Sequence, residues 1–246
     1  MQVYKKTSNL LIGLLLVLLT SVSYSYELKP FSLNLDAKKF SRVNISLGGS
    51  LTLINQRNDQ WEYSVQTLSS LIKLAETSEF IWSKNKVSPL KYTSYSRIAF
   101  VKQVDTTNFD DKSEKIVVTR KKNKKAYPYN ANIMDPNSFQ IKMMQELTEG
   151  KTHFSYLVQE IGRQVTYHFQ VLKSENLKTP MGNMKVLKLE QVWDKETNKE
   201  KYYWVSEEYG FIPLLIESYK NGKIESRIRV TGGSYDGKAI IDLPSN

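Results

Sequence analysis

Residues that could perform chemistry are few in this chain, and their spacing is not that of a catalytic site. The sequence contains two histidines, His153 and His168, and no cysteine. Neither histidine has another ligand at the short spacing that metal sites use. The alternation of polar and apolar residues places His168 on the polar face of a strand. We therefore interpret both as structural or surface residues and expect no metal site.

The paired acids and paired glycines also lack a catalytic context. Asp110-Asp111 and Glu207-Glu208 occur in polar, loop-like stretches, where nothing would separate two carboxyl groups into an acid and a base. Gly48-Gly49 and Gly232-Gly233 are bare turn pairs, without the flanking residues of a phosphate-binding loop or a nucleophile elbow. We expect a protein that is not an enzyme, has no catalytic residues and needs no cofactor.

The densest charge in the sequence is the basic run, residues 120–125. Five cations among six residues cannot be buried, so this run predicts a hairpin tip or an exposed loop. A merely solvated turn is one interpretation. The other is an anion-binding patch, whose candidate residues are Arg120, Lys121, Lys122, Lys124 and Lys125.

Aromatic residues are the most suggestive feature, since the chain has 15 Tyr, 9 Phe and 4 Trp. Many of them alternate along strand-like segments, so they share one side of a sheet. That side either fills a core or lines a groove for an apolar ligand. The candidate ligand face comprises Trp61, Tyr63, Phe139, Met143, Phe154, Tyr156, Tyr167 and Phe169.

The element that must cover this face is a helix predicted over Pro136–Glu149. Asp135 is a suitable cap, Pro136 suits the first helical turn, and Gly150 suits the stop. Phe139, Met143 and Leu147 recur every fourth residue, so one side of the helix is apolar. A helix with one apolar stripe must pack on the sheet formed by the strands around it.

About a dozen strands are predicted on either side of the helix, including Trp61–Leu68, Ile72–Trp82 and a continuous Tyr92–Val104, with Pro89 in a loop. Gly48-Gly49 predicts the turn of a first hairpin, and Asn221-Gly222 is the strongest hairpin signal. The predicted fold class is therefore mainly β: a single large curved antiparallel sheet, half-barrel-like, with one principal helix packed on or inside it.

The N-terminus predicts export. Lys5 and Lys6 precede an apolar run, Leu10–Val22, which is shorter than the roughly 20 residues that span a bilayer. Ser23-Tyr24-Ser25 places small residues at the two positions that a signal peptidase reads, so we expect residues 1–25 to be a cleaved secretory signal peptide and residues 26–246 to form a single β-rich domain. A membrane anchor is the alternative. We therefore expect a periplasmic protein that does not span the membrane.

The mature chain is basic, with 33 Lys and Arg against 25 Asp and Glu once Lys5 and Lys6 are removed. Outside the cytoplasm, this excess points to anionic envelope polymers or lipid head groups rather than to nucleic acid. The expected partners are a lipid, a lipoprotein or an anionic envelope polymer. Net charge alone also serves solubility, which is the simpler interpretation.

Several short motifs resemble a known family when taken in order. Pro89-Leu90-Lys91-Tyr92 follows a strand that ends in an aromatic residue, the segment 175–182 precedes another strand, and Tyr209-Gly210-Phe211-Ile212-Pro213 follows Trp204. With Asp135-Pro136 opening a helix, the sequence from about residue 40 to 235 resembles domain-of-unknown-function family 3108, a family of bacterial exported proteins. The resemblance implies a β-rich periplasmic fold akin to the lipoprotein carriers, in which a curved sheet wraps around a helix. It brings no catalytic residues.

Two functional hypotheses follow from these observations. In the first, the protein is a periplasmic binding or carrier module whose half-barrel receives an apolar or acyl-bearing ligand. In the second, it is a structural or assembly protein of the envelope, which has a filled core and docks a protein or an anionic polymer through its surface.

We predict that the exported protein begins at Tyr26, because the apolar run is short and small residues precede that position. Intact mass spectrometry of the protein recovered from its own host measures this directly. A mass that includes Lys5 and Lys6 would contradict the cleavage and support the membrane anchor.

Overall fold

The computed structural model describes residues 26–41, 44–195 and 197–241, so the expected signal peptide lies outside the described residues. Within them the chain forms fifteen strands and one helix. In chain order, these are β1 (Phe31–Lys39), β2 (Ile45–Arg57), β3 (Gln60–Leu68), β4 (Ile72–Ser83), β5 (Lys86–Ile98), β6 (Val101–Asp110), β7 (Lys115–Arg120), β8 (Asn123–Pro128), α1 (Ser138–Thr148), β9 (His153–Glu160), β10 (Arg163–Thr179), β11 (Gly182–Val192), β12 (Lys199–Ser206), β13 (Pro213–Lys220), β14 (Lys223–Tyr235) and β15 (Lys238–Ala239). No helix in these ranges is long and apolar enough to cross a membrane.

All fifteen strands belong to one antiparallel sheet. Its order is β8-β7-β6-β5-β4-β3-β2-β1-β14-β13-β12-β11-β10-β9, with β15 added beside β14. Two meanders are therefore joined where β1 pairs with β14, and the edges of the sheet are β8 and β9. The sheet does not close into a barrel, which confirms the predicted fold class.

The helix lies inside the curve of the sheet, because side chains on different sides of α1 join different core clusters. Ile141 and Met144 pack in the larger cluster, which includes side chains from β1, β2, β3 and β4. Phe139, Met143 and Leu147 pack in a second cluster, with side chains from β9 to β12. The predicted stripe is thus buried, and so is much of the remaining helix surface.

The segment that connects edge strand β8 to α1 also covers the other edge strand, β9. Met134 forms a parallel bridge to Val158 of β9, with its N–H donating to Leu157 O at 2.9 Å and its carbonyl accepting from Gln159 N at 2.8 Å. Ile133 packs with Phe109, Ile116 and other side chains in a third cluster. The gap between the two edges is therefore occupied by residues that lead into the helix.

The start of α1 differs from the prediction. The helix begins at Ser138 with Asn137 as the N-cap residue, and no side chain caps it in the standard way. Asp135 lies one turn earlier, where its Oδ1 accepts bonds from the N–H groups of Asn137 (2.8 Å) and Ser138 (2.9 Å) and from Ser78 Oγ (2.6 Å). The carboxylate thus accepts hydrogen bonds from the N–H groups at the start of the helix, as expected. It also links the helix to β4 through Ser78.

Two turn predictions can be compared with the strands. Asn221 and Gly222 have φ values of 52° and 68° and form the β13–β14 turn, which confirms that hairpin. The prediction for Gly48-Gly49 was wrong, because both lie within β2. A Cβ at Gly49 would approach Gln66 O to 2.1 Å, so glycine is needed here for close approach of β3 rather than for a turn.

The segment Tyr92–Val104 was also wrongly predicted as one strand. It is a hairpin between β5 and β6 that turns at Ala99 (φ 52°) and Phe100. Pro89 is inside β5 rather than in a loop, opposite Phe80 where the pairing with β4 shifts. A bulge tolerates proline because the missing N–H is not needed for the ladder.

We predict that Asp135→Ala lowers the free energy of unfolding by roughly 3 kcal/mol, because it leaves buried N–H and hydroxyl donors without an acceptor. Urea denaturation measures the loss. Asp110→Ala is a matched control, since Asp110 also accepts two backbone N–H bonds and one serine hydroxyl, but on the exposed surface. Equal losses in the two variants would contradict the importance of burial at Asp135.

Candidate functional site

A cavity of ≈ 400 Å³ lies inside the curve of the sheet, beside the first turn of α1. Its walls come from β1 to β4 on one side and from β10, β12, β13 and β14 on the other. Apolar residues form most of its lining; they include Leu35, Leu51, Val65, Leu74, Leu214, Leu215, Ile216, Ile228 and Val230. The cavity falls in the size range of small-molecule sites, which is about 300 to 1,000 Å³.

The structure divides the predicted ligand face between this cavity and the packed core. Tyr63, Phe139 and Tyr167 line the cavity. The other five residues do not: Trp61 belongs to the larger core cluster, and Met143, Phe154, Tyr156 and Phe169 belong to the second cluster. The sequence is compatible with either a groove or a filled core at this face, and the described residues form both: part of the face lines a cavity and part is packed in the core.

Aromatic stacking explains why the second cluster is filled. The Phe139 ring stacks on Phe169, with centroids 5.5 Å apart and planes at 17°, and meets Tyr167 edge to face at 5.4 Å. Phe154 and Tyr156 stack at 6.3 Å. Rings in these geometries exclude a ligand between them. Phe139 and Tyr167 therefore form the boundary between the packed core and the cavity.

Besides its tyrosines, five polar residues line the cavity, and sequence reasoning missed all of them: Thr67, Glu76, Asn137, Gln140 and Lys201. Gln140 Oε1 accepts a bond from Tyr63 Oη at 3.2 Å. A signal for Glu76 was present, because it shares strand parity with the apolar Phe80 and Trp82 and must face inward with them. Lys201 likewise shares parity with the buried Tyr203.

Burial governs the ionisation of Glu76. Removal from water raises the pKa of its carboxyl, and the nearby Asp135 raises it further. A hydrogen bond from Tyr92 and the charge of Lys201 act in the opposite direction but do not cancel the increase. Burial also raises the pKa of Asp135, against hydrogen bonds from Ser78, Ser138 and Asn137. Two carboxyl groups with raised pKa values thus lie near one end of the cavity.

Asn137 provides a free hydrogen-bond donor at the same end. Its side chain is 3% exposed, and its Nδ2 has no hydrogen-bond partner among the described residues. Most buried polar groups in proteins are paired, so this unpaired amide marks a polar position beside the cavity. The cavity is therefore an apolar chamber with a small polar end.

The predicted anion patch lies elsewhere, at the edge of the sheet. Lys121 and Lys122 form the β7–β8 turn, which confirms the predicted hairpin tip, and Lys124 and Lys125 continue along β8. Arg120 Nε lies 3.7 Å from Asp105 Oδ2. The four lysines have no carboxylate within ion-pair distance among the described residues. Lys121, Lys124 and Lys125 border an open depression of ≈ 390 Å³ together with residues of the β9–β10 turn.

The histidines take part in surface contacts. His168 Nδ1 lies 2.8 Å from Ser155 Oγ, and its Nε2 lies 2.8 Å from Asp194 Oδ1. His153 lies 3.1 Å from Thr152 Oγ1 and is exposed. Within the described ranges, no group of three His, Asp or Glu side chains is arranged to hold a metal ion.

We predict that Glu76→Gln stabilises the protein at neutral pH and that this advantage shrinks as the pH falls towards about 4. The folded-state pKa of Glu76 is raised, so the folded protein binds this proton more tightly than the unfolded chain does. Wild-type stability therefore increases as the pH falls through the raised pKa, whereas Gln does not titrate. Urea denaturation at several pH values measures the difference.

The matched control is Glu79→Gln, on the opposite face of β4. A stability difference between wild type and Glu76→Gln that stays constant with pH would contradict the raised pKa.

Comparison with one solved structure agrees with this architecture. A crystal structure of a beta-barrel-like protein of domain of unknown function DUF1849 from Brucella abortus matches with a TM-score of 0.58 and 8% identity, covering 87% of this chain and 100% of that one. At this identity the likeness shows the fold alone. A putative outer membrane lipoprotein-sorting protein domain from Vibrio parahaemolyticus matches with a TM-score of 0.28 and 9% identity, over 85% of this chain and 86% of that one. No curated protein sequence matches the chain.

The family comparison agrees with the motifs found in the sequence. The family described as "Protein of unknown function (DUF3108)" matches residues 36–229, a span that includes the strands from within β1 to within β14 and the whole of α1. The chain belongs to this family of unknown function, DUF3108.

Proposed function

We propose that this protein is a non-enzymatic carrier of the periplasm that binds an apolar or acyl-bearing ligand of the cell envelope. The observation that carries the proposal is the cavity inside the curve of the sheet, bounded by apolar side chains and by the first turn of α1. A chain that needed only a folded scaffold would gain stability by filling this space, because packing contacts are lost around a void.

The lining suggests how such a ligand is oriented. Apolar side chains from β1, β2, β13 and β14 would contact a hydrocarbon chain along its length. The polar end would receive the head of the ligand, where the unpaired Asn137 Nδ2 can donate to a carbonyl or ester oxygen. Lys201 can pair with an anionic group at the same end, opposite Glu76.

The protonation of Glu76 affects which ligand head groups the polar end favours. With its pKa raised by burial, the carboxyl is held in the neutral form to higher pH than an exposed glutamate and can then donate a hydrogen bond. When Glu76 is protonated, Lys201 carries the charge at the polar end. That arrangement favours a ligand whose head is neutral or acidic over a cationic one.

We expect Val65→Trp to abolish binding of a fluorescent fatty acid that the wild type binds at tens of micromolar or better. Val65 is half-buried in the cavity wall, and an indole at this position would enter the cavity rather than displace packed side chains. Fluorescence titration measures the affinity, and circular dichroism with thermal melting checks that the variant is folded.

The control is Ile54→Trp on the adjacent strand β2, where the side chain is 42% exposed and does not line the cavity. It should bind like the wild type. Binding retained by Val65→Trp would show that the cavity is not the site.

A second measurement distinguishes the carrier hypothesis from the assembly-protein hypothesis. Native mass spectrometry of the protein purified from its own host should show a bound lipid in the wild type and none in Val65→Trp. If the wild type carries no lipid and binds neither fatty acid nor phospholipid, the carrier proposal is wrong and the docking of an envelope partner takes its place.

A further inference from the structure

Exposed apolar side chains concentrate at one place on the surface. Among the described residues thirteen large apolar side chains are exposed, and seven of them lie towards the turns of the β3–β4 and β5–β6 hairpins. These seven, the hairpin-tip patch, are Leu68, Leu71, Leu74, Ile98, Phe100, Val101 and Val104. Phe100 is 100% exposed, Val101 73% and Leu71 65%. Single exposed apolar residues are ordinary, but a cluster of this size marks an interaction surface.

The two hairpins form one continuous surface. The N–H of Ala99, in the β5–β6 turn, donates to Leu71 O, in the β3–β4 turn, at 2.8 Å. Ile72 and Ile98 are directly paired at the ends of β4 and β5. The hydrogen bond therefore holds the fully exposed Phe100 beside Leu71 at the tip of the sheet.

The segments that form and flank this patch are basic. Residues 68–75, 97–104 and 119–125 contain no Asp or Glu, whereas they contain Lys73, Arg97, Lys102 and the five cations of the basic run. In an antiparallel meander, consecutive turns lie at opposite ends of the sheet, so every second turn lies at the same end. The β7–β8 turn therefore lies at the same end as the β3–β4 and β5–β6 turns. The apolar tips and the basic run thus face the same direction.

The patch also reaches the cavity. Leu74 is 39% exposed as part of the patch and lines the cavity as well. Thr67, which is paired with Leu74, lines the cavity beside it. A continuous path of side chains therefore connects the exposed tips with the interior of the sheet.

We propose that this end of the protein docks on the surface of an anionic phospholipid bilayer, with Phe100 and Leu71 inserted among the lipids and the basic run against the head groups. Insertion of apolar side chains and attraction of cations to anionic lipids are the two terms that hold proteins at a membrane interface. A protein partner fits less well, because lysine is depleted from protein interfaces. The docking requires no ligand in the cavity, so it stands independently of the carrier proposal.

The test is co-sedimentation of the exported protein with vesicles after its mature mass has been established. Vesicles of phosphatidylglycerol and phosphatidylethanolamine should bind the protein, and vesicles of phosphatidylcholine alone should bind it far more weakly. Phe100→Asp should weaken binding about tenfold or more, since a large apolar contact is replaced by a charge. Lys121→Gln combined with Lys122→Gln should weaken it roughly 30-fold, as expected for two cations near an anionic surface.

Both sets of substitutions are at exposed positions, so the variants should fold like the wild type, which thermal melting verifies. Ile241→Asp is the matched control, since Ile241 is 55% exposed near the opposite end of the sheet. It should bind vesicles like the wild type. No binding to anionic vesicles, or equal binding by wild type and Phe100→Asp, would overturn the proposal. Self-association of the wild type that Phe100→Asp abolishes, without vesicle binding, would assign the patch to a second copy of the chain.

Discussion

The fold depends on one helix that must be buried inside an open sheet. Seven of the eleven residues of α1 are buried, and its apolar side chains enter two different core clusters. A flat sheet could bury only one side of a helix, so this helix requires a sheet that curves around it. The Asp135 carboxylate, which holds both the first turn of the helix and Ser78 of β4, fixes where the helix begins relative to that curve.

This constraint also explains why the interior is only partly filled. Aromatic rings of β9 and β10 stack on Phe139 and fill the space on that side of the helix. Near the first turn, the walls of β3 and β4 face those of β12 to β14 without a large side chain between them, and the cavity remains. The same turn brings Asn137 and Gln140 into the wall of the cavity, which adds polar groups to an apolar chamber.

The cavity and the hairpin-tip patch are connected through the topology of the sheet. Every second turn of an antiparallel meander lies at the same end, so the β3–β4 and β5–β6 turns lie together beside the strands that line the cavity. Strand β4 carries the cavity-lining residues Leu74, Ala75 and Glu76, and the exposed apolar residues of the patch lie around the turn that precedes it and the neighbouring β5–β6 turn. Leu74, which belongs to both the cavity lining and the patch, joins the cavity to this end of the sheet.

The sequence by itself determined the fold class, the position of α1 and the hairpin at Asn221-Gly222, because period-2 and period-3.6 patterns and turn residues are local signals. It also determined that the basic run is exposed, since five cations cannot be buried. Only the tertiary structure decided that Gly48-Gly49 belongs within a strand and that Pro89 lies at a bulge, because both depend on a neighbouring strand that local sequence does not specify. It also divided the aromatic face, placing Tyr63, Phe139 and Tyr167 at a cavity and their neighbours in the core. Alternation shows which face a residue takes, but whether that face meets a helix, a void or water depends on how residues far apart in the chain are packed.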